Sequence, residues 1–145
     1  MVLISAWAIS GTDILLMDRW IKEDKIEQFE LLVGDIFPTK YKMEWKKLME
    51  MYDAGSLKKV NKATIHSKLL LMEAEDGTKL VIESSANCNM NPRVEQSCVT
   101  VSDKLYNFYY TYLQEMLDEA EARRTVRELQ QLPFDEYIDN DEGVA

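Results

Sequence analysis

The chain is poor in the residues from which metal and nucleotide sites are usually built. It has one histidine, two cysteines, five glycines and three prolines in 145 residues. Cys88 and Cys98 do not form a C-x-x-C or similar ligand spacing, and His66 is the only imidazole. No zinc-type ligand set results, so no metal and no cofactor are expected. Both cysteines read as reduced thiols, which fits a cytoplasmic location. The five glycines form no glycine-rich phosphate loop. The opening Met1–Ser10 is apolar but too short to span a membrane, and it lacks the basic region of a secretory leader. Neither membrane insertion nor export is expected.

The residues present describe one ordinary globular domain, 46% hydrophobic and 30% charged. A chain of this size buries roughly 68–70% of the surface it exposes when unfolded, and so needs no covalent staple. The formal charge of −9 is unevenly spread. Residues 36–72 hold 8 basic and 3 acidic side chains and include His66, whereas the flanking segments are all net acidic. Such a chain repels polyanions at long range unless the basic stretch forms a local patch. For most of its lysines, solvated helix faces are the simpler reading.

Hydrophobic patterning predicts a buried strand over 2–9, ended by Ser10-Gly11. A helix capped by Thr12 or Asp13 follows to about Glu27, with Ile14, Met17 and Ile21 on one face. A second strand, Phe29–Phe37, is stopped by Pro38. Thr39 then caps a helix in which Tyr41, Trp45, Leu48, Met49 and Tyr52 share a face and which Gly55 ends. Strand formers dominate Lys58–Glu73, Glu75-Asp76-Gly77-Thr78 is a hairpin turn, and Lys79–Glu83 resumes as strand. Ser84–Arg93 is an asparagine-rich loop and Gln96–Val101 a last strand. Ser102 or Asp103 caps a long helix whose apolar stripe is Leu105, Phe108, Tyr109, Tyr112, Leu113, Met116, Leu117 and Ala120. The tyrosines Tyr106, Tyr109, Tyr110 and Tyr112 read mostly as packing, although Tyr106 and Tyr110 fall off that stripe and would also suit a subunit interface. The alternation predicts an α/β domain over 1–130 with a mixed, mainly parallel sheet flanked by helices, and an acidic, mobile tail over 131–145.

The chemistry concentrates in Ile65-His66-Ser67-Lys68, Ser84-Ser85-Ala86-Asn87-Cys88-Asn89 and Glu95. On a strand, residues two apart share a face, so His66 and Lys68 project together. An imidazole beside an ammonium suits an anion. Ser85, Asn87 and Asn89 repeat that spacing and can add neutral donors, although the asparagines also suit turns, so a role is favoured for Asn87 alone. Glu95 can accept a hydrogen bond from one imidazole nitrogen and leave the other free to attack. Taken singly, His66 would be an ordinary half-buried histidine and Lys68 a surface lysine.

These elements resemble the phospholipase D superfamily, whose signature is His-x-Lys-x-x-x-x-Asp, then Gly-Ser-x-Asn and a later Glu. The match is His66-Ser67-Lys68, Ser85-Ala86-Asn87 and Glu95, and the element order resembles a single half of that fold, carrying one His-Lys-Asp motif, over residues 1–120. Glu73 stands in place of the motif's Asp and Ser84 in place of its Gly. The Lys68-to-Ser85 interval, 16 residues, is longer than the family's by a few residues that fit in the Asp76-Gly77 tip. Family domains commonly have a further strand and helix before the first element seen here.

The resemblance implies a metal-independent phosphodiesterase. His66 is nucleophile or acid, Lys68 and Asn87 hold the phosphate, Ser85 supports it, Glu95 orients His66, and Asn89 and Arg93 contact substrate. That mechanism uses two histidines, so with one per chain it implies a homodimer with a composite site on a two-fold axis. DNA or RNA is the favoured substrate. A non-catalytic module that kept the fold and binds nucleic acid or protein is the alternative, supported by Glu73 and Ser84. A lipid substrate ranks third, since no basic amphipathic helix is evident. The acidic tail reads as solubilising rather than as a shield over the basic stretch.

Overall fold

The structure, a computed structural model, describes residues 1–88 and 94–131. The expected tail lies, from residue 132 on, outside the described residues, as do Asn89 and Arg93. In chain order the elements are β1 (Val2–Ala6), α1 (Gly11–Lys22), β2 (Phe29–Gly34), α2 (Phe37–Lys40), α3 (Lys42–Asp53), β3 (Lys59–Ala63), β4 (Leu69–Glu73), β5 (Lys79–Ser84), β6 (Ser97–Val101) and α4 (Asp103–Gln131). Among the described residues no helix is long and apolar enough to cross a membrane.

The six strands form one sheet in the order β3-β2-β1-β4-β5-β6. β1 pairs with β2, and β2 with β3, in parallel; the other three pairings are antiparallel. The sheet is therefore mixed as expected, but it is not mainly parallel. The physical reason lies in the link between β3 and β4. β3 ends at one edge of the sheet and β4 pairs with β1 on its far side, about 14 Å away across three strand spacings. Residues 64–68 supply six Cα steps, about 20 Å when extended. A parallel strand would need a crossover of a dozen or more residues. β4 must therefore start at the end of the sheet where β3 stops and run back. Within the stretch expected as strand, residues 64–68 lie between strands, and His66 and Lys68 sit on this crossing.

β1 and β2 are buried along their whole length because both faces are covered. Ile4, Leu31 and Val33 pack with Ile14, Met17, Phe37 and Leu48 of α1–α3. On the opposite face Leu3, Leu32, Leu71 and Val81 pack against Tyr106, Leu113 and Leu117 of α4. The rest of the first face carries two cross-strand apolar rows, Leu70-Ile82-Val99 and Met72-Leu80-Val101. Val99 and Val101 there are exposed.

Helix starts and stops differ from the expected pattern in four places. Ser10, not Thr12 or Asp13, caps α1: its Oγ accepts the Asp13 N–H at 3.1 Å and donates to the Asp13 carboxylate at 2.6 Å. The helix stops at Lys22, short of Glu27. Pro38 does not end a strand but opens α2, where a missing N–H costs nothing. Thr39 lies inside α2 with its hydroxyl on the Ile36 carbonyl at 2.9 Å, and α3 starts from Tyr41 without a side-chain cap. Gly55 and Gly77 take φ of +76° and +82° at the end of α3 and in the β4–β5 turn, as their positions suggested.

The apolar stripe of α4 is rotated from the expected one. Tyr106 is 2% exposed, whereas Phe108 and Tyr112 are 65% and 48% exposed. Tyr106 is thus core and not a subunit surface, with Tyr110 stacked on it at 5.8 Å. Polar ties set this rotation. The buried Glu30 of β2 accepts from Gln114 of α4, and Lys59 of β3 reaches Asp118 at 2.5 Å. Leu71→Ala should cost about 2–5 kcal/mol, because a fully buried side chain leaves a cavity. Val99→Ala should stay within about 0.5 kcal/mol. Denaturant midpoints of the two variants check the contrast.

Candidate functional site

The parallel strands end, and β4 begins, along one rim of the sheet, and His66, Lys68, Ser85 and Asn87 lie at that end. Ser67 hangs on β1 through Ser5, the two hydroxyls lying 2.6 Å apart with Ser5 buried. The Lys68 carbonyl accepts the Ser84 N–H at 3.0 Å, which joins the crossing to the end of β5. On this anchored crossing His66 is exposed and Lys68 half-buried. The Lys68 ammonium donates to His66 Nδ1 at 3.1 Å and to the His66 carbonyl at 2.9 Å.

Trp7, just past β1, lies beside His66, with ring centroids 6.3 Å apart. Gly34 makes room for it: a Cβ there would stand 2.7 Å from Trp7 Cδ1 and 2.9 Å from its carbonyl oxygen. Lys40 lies over the indole at 5.1 Å. The Trp7 N–H donates to Asn87 Oδ1 at 3.2 Å, and Ser10 N–H to the Cys88 carbonyl at 2.7 Å. The loop after β5 is thereby stitched to the segment after β1. Because Asn87 Oδ1 is the acceptor, its NH₂ group is left as donor.

Ser85 is built differently from the expected phosphate ligand. Its backbone N–H bonds the Gln96 carbonyl at 3.0 Å, and its Oγ accepts the Gln96 N–H at 2.9 Å and donates to the Glu95 carboxylate. Glu95, expected on His66, is engaged with this serine. Asn89 and Arg93 lie outside the described residues. Glu73, in place of the motif's Asp, is at the far end of β4, where its carboxylate faces Tyr106. Burial first, and that carboxylate second, push the Tyr106 hydroxyl well above the usual tyrosine range. Glu73 is therefore remote from His66.

An open cleft of about 510 Å³ is lined by His66, Lys68, Glu83, Ser85, Tyr109 and Tyr112 among others. Larger hollows, such as a groove of about 550 Å³ beside Lys62 and Arg123, contain none of the selected site residues. Among the described residues no group of three His, Cys, Asp or Glu side chains is placed to hold a metal.

The Lys68–His66 contact matches one tautomer of a neutral imidazole. An ammonium only donates, so Nδ1 is the acceptor and the imidazole proton sits on Nε2. In this arrangement Nε2 can give a proton or a hydrogen bond to an anion, but it has no lone pair with which to attack. Attack from Nε2 requires the proton to move to Nδ1, and Lys68 to withdraw from it.

No motif or spacing points directly to Trp7, Gly34, Tyr109 or Tyr112 as site residues. Ser5 carried one signal, a hydroxyl inside an otherwise apolar strand. Compared with known proteins, the chain matches no family model and no curated sequence.

Cys88, next to Asn87, is half-buried, and burial pushes its thiol up to about 11. Near neutral pH it is almost wholly protonated and unreactive. A disulfide-exchange reagent should therefore modify the exposed Cys98 first, with Cys88 following only as the pH approaches 11 or on unfolding. Equal rates at neutral pH in the folded protein would contradict the buried placement.

Proposed function

We propose that this protein is a metal-independent phosphodiesterase of the phospholipase D type, a nuclease that works as a homodimer with one composite site. The observation that carries this reading is the Lys68 ammonium 3.1 Å from the only histidine, in an open cleft at the rim of the sheet. Asn87, whose Oδ1 takes the Trp7 N–H, keeps its NH₂ group as a donor for an anion.

The chemistry follows from those groups. The phosphodiester takes hydrogen bonds from Lys68 and Asn87, which hold the extra negative charge of the five-coordinate transition state, an effect worth several kcal/mol. His66 Nε2 of one protomer bonds to phosphorus as the ester P–O bond breaks. The leaving oxygen takes its proton from His66 of the partner subunit. Water then bonds to phosphorus and gives a proton back to that second imidazole, and the P–N bond breaks. Dividing the displacement in this way replaces one hard step by two easier ones. The tautomer described above suits the proton donor when Lys68 passes a proton to Nδ1 as Nε2 gives up its own, so that the imidazole stays neutral; both protons return when water is consumed. An arriving phosphate competes for Lys68, and its withdrawal lets Nδ1 take the proton that a nucleophile requires.

The second reading is a module that binds nucleic acid or a protein without turnover. It is favoured by the engagement of Glu95 with Ser85 and by the Nε2–H form of His66.

Hydrolysis of bis(p-nitrophenyl) phosphate and of DNA should persist in excess EDTA and vanish in His66→Ala. Lys68→Ala and Asn87→Ala should each lower kcat on the order of 10²-fold. Sedimentation should give a dimer. A strictly monomeric protein, or turnover unaffected by His66→Ala, would remove the hydrolase reading. A folded, inactive dimer would favour the binding module.

A further inference from the structure

We propose that Tyr112, with Phe108 one turn before it on α4, is a stacking platform for an unpaired base, so that the cleft selects single-stranded polynucleotide. This rests on the phosphodiesterase reading and names its substrate class.

Tyr112 lines the same cleft as His66 and Lys68 and is 48% exposed. Phe108 is its i−4 neighbour on the helix, 65% exposed. Phe108 is braced by its neighbour. Phe108 meets Tyr109 edge-on at 5.3 Å, and the Tyr109 hydroxyl is tied to the Glu83 carboxylate at 2.5 Å. α4 buries Tyr106, Leu113 and Leu117 to hold itself on the sheet, so these two outward rings are not needed for that packing.

Charge supports a neutral mode of recognition. Lys68 and Glu83 both line the cleft, Glu95 lies behind Ser85, and the chain carries −9 overall. Coulomb attraction therefore has little to offer a polyanion here. Stacking is insensitive to this balance, since every base presents a π-face. A base inside a duplex has both faces covered by its neighbours, whereas an unpaired base can turn onto the rings while its phosphate reaches Lys68.

The test is fluorescence anisotropy of a labelled single-stranded oligothymidylate on the His66→Asn protein, with an abasic oligomer of equal length and a duplex as comparisons. Tyr112→Ala should weaken the oligothymidylate about tenfold and Phe108→Ala should weaken it to a lesser degree, whereas Tyr112→Phe should bind within about twofold of the parent. The abasic oligomer should be indifferent to all three changes, and the duplex should bind more weakly than the single strand. The slope of log K against log salt should be shallow, near −0.7 for a single phosphate contact. Equal affinity for abasic and base-bearing strands, or a steep salt slope, would overturn the platform. Conversion of dimer to monomer by Tyr112→Ala in sedimentation would also overturn it, making the rings a contact between copies. EDTA-resistant cleavage of bis(p-nitrophenyl) phosphate without base discrimination would sink the platform alone. Base-dependent binding without any turnover in the wild type would sink the hydrolase reading alone.

Discussion

The short crossing from β3 to β4 sets most of what the molecule can do. Five residues must pass the ends of β2 and β1, and a link this short cannot contain a helix. The run of parallel strands therefore ends at β3, and the second half of the sheet is antiparallel. The same crossing lays an extended segment along the sheet rim, where backbone cannot be fully buried and side chains face solvent. His66 is exposed and Lys68 half-buried there as a consequence of topology. Residues 64–68 stay in place because Ser67 finds the one hydroxyl in β1 and because the Lys68 carbonyl is claimed by Ser84.

The position of α4 depends on a second, polar constraint. Glu30 lies within a strand buried on both faces, where an unpaired carboxylate would be very costly. It is met by Gln28 and by Gln114 of α4, with Lys58 at 3.9 Å, and Lys59 extends the group to Asp118. A network of this kind adds little net stability, but removing one member would leave a buried charge uncompensated. Its effect is specificity of placement. With Gln114 and Asp118 directed toward β2 and β3, the helix can turn only so that Tyr106, Leu113 and Leu117 enter the core. Tyr109 and Tyr112 then meet the cleft.

Local chemistry was legible in the sequence and long-range geometry was not. The Asp76-Gly77 turn, the stop at Gly55 and the Ser102 start of α4 each rest on a residue whose own backbone or side chain decides the matter. The cap at Ser10 was missed because Thr12 and Asp13 are equally good candidates, and only the path out of β1 selects among them. The rotation of α4 was missed because Phe108 and Tyr106 are both aromatic, and the choice between them is made by Glu30, more than seventy residues earlier in the chain. At the site, the pairing of His66 with Lys68 follows from two-residue spacing, which survives although the segment is not a strand. Trp7 and Tyr112 come from distant parts of the chain, and no spacing rule connects them to His66.

On the phosphodiesterase reading, symmetry poses a chemical problem that the geometry also addresses. Two identical histidines must serve as nucleophile and as acid, with the proton on opposite nitrogens. Identical chains cannot encode that difference, so the substrate has to create it. In each protomer Lys68 donates to Nδ1 and thereby sets the proton on Nε2, a form that acts as acid by taking the Lys68 proton at Nδ1 as it gives up its own at Nε2. A phosphodiester lying off the two-fold axis draws one Lys68 away and leaves its partner in place. The first imidazole is then free to exchange its proton to Nδ1 and attack, while the second retains the proton that the leaving oxygen takes. A lysine bonded to the histidine it assists is on this view the means by which one bound phosphate makes two equal sites unequal, and it requires no acidic partner for the imidazole beyond the ligand itself.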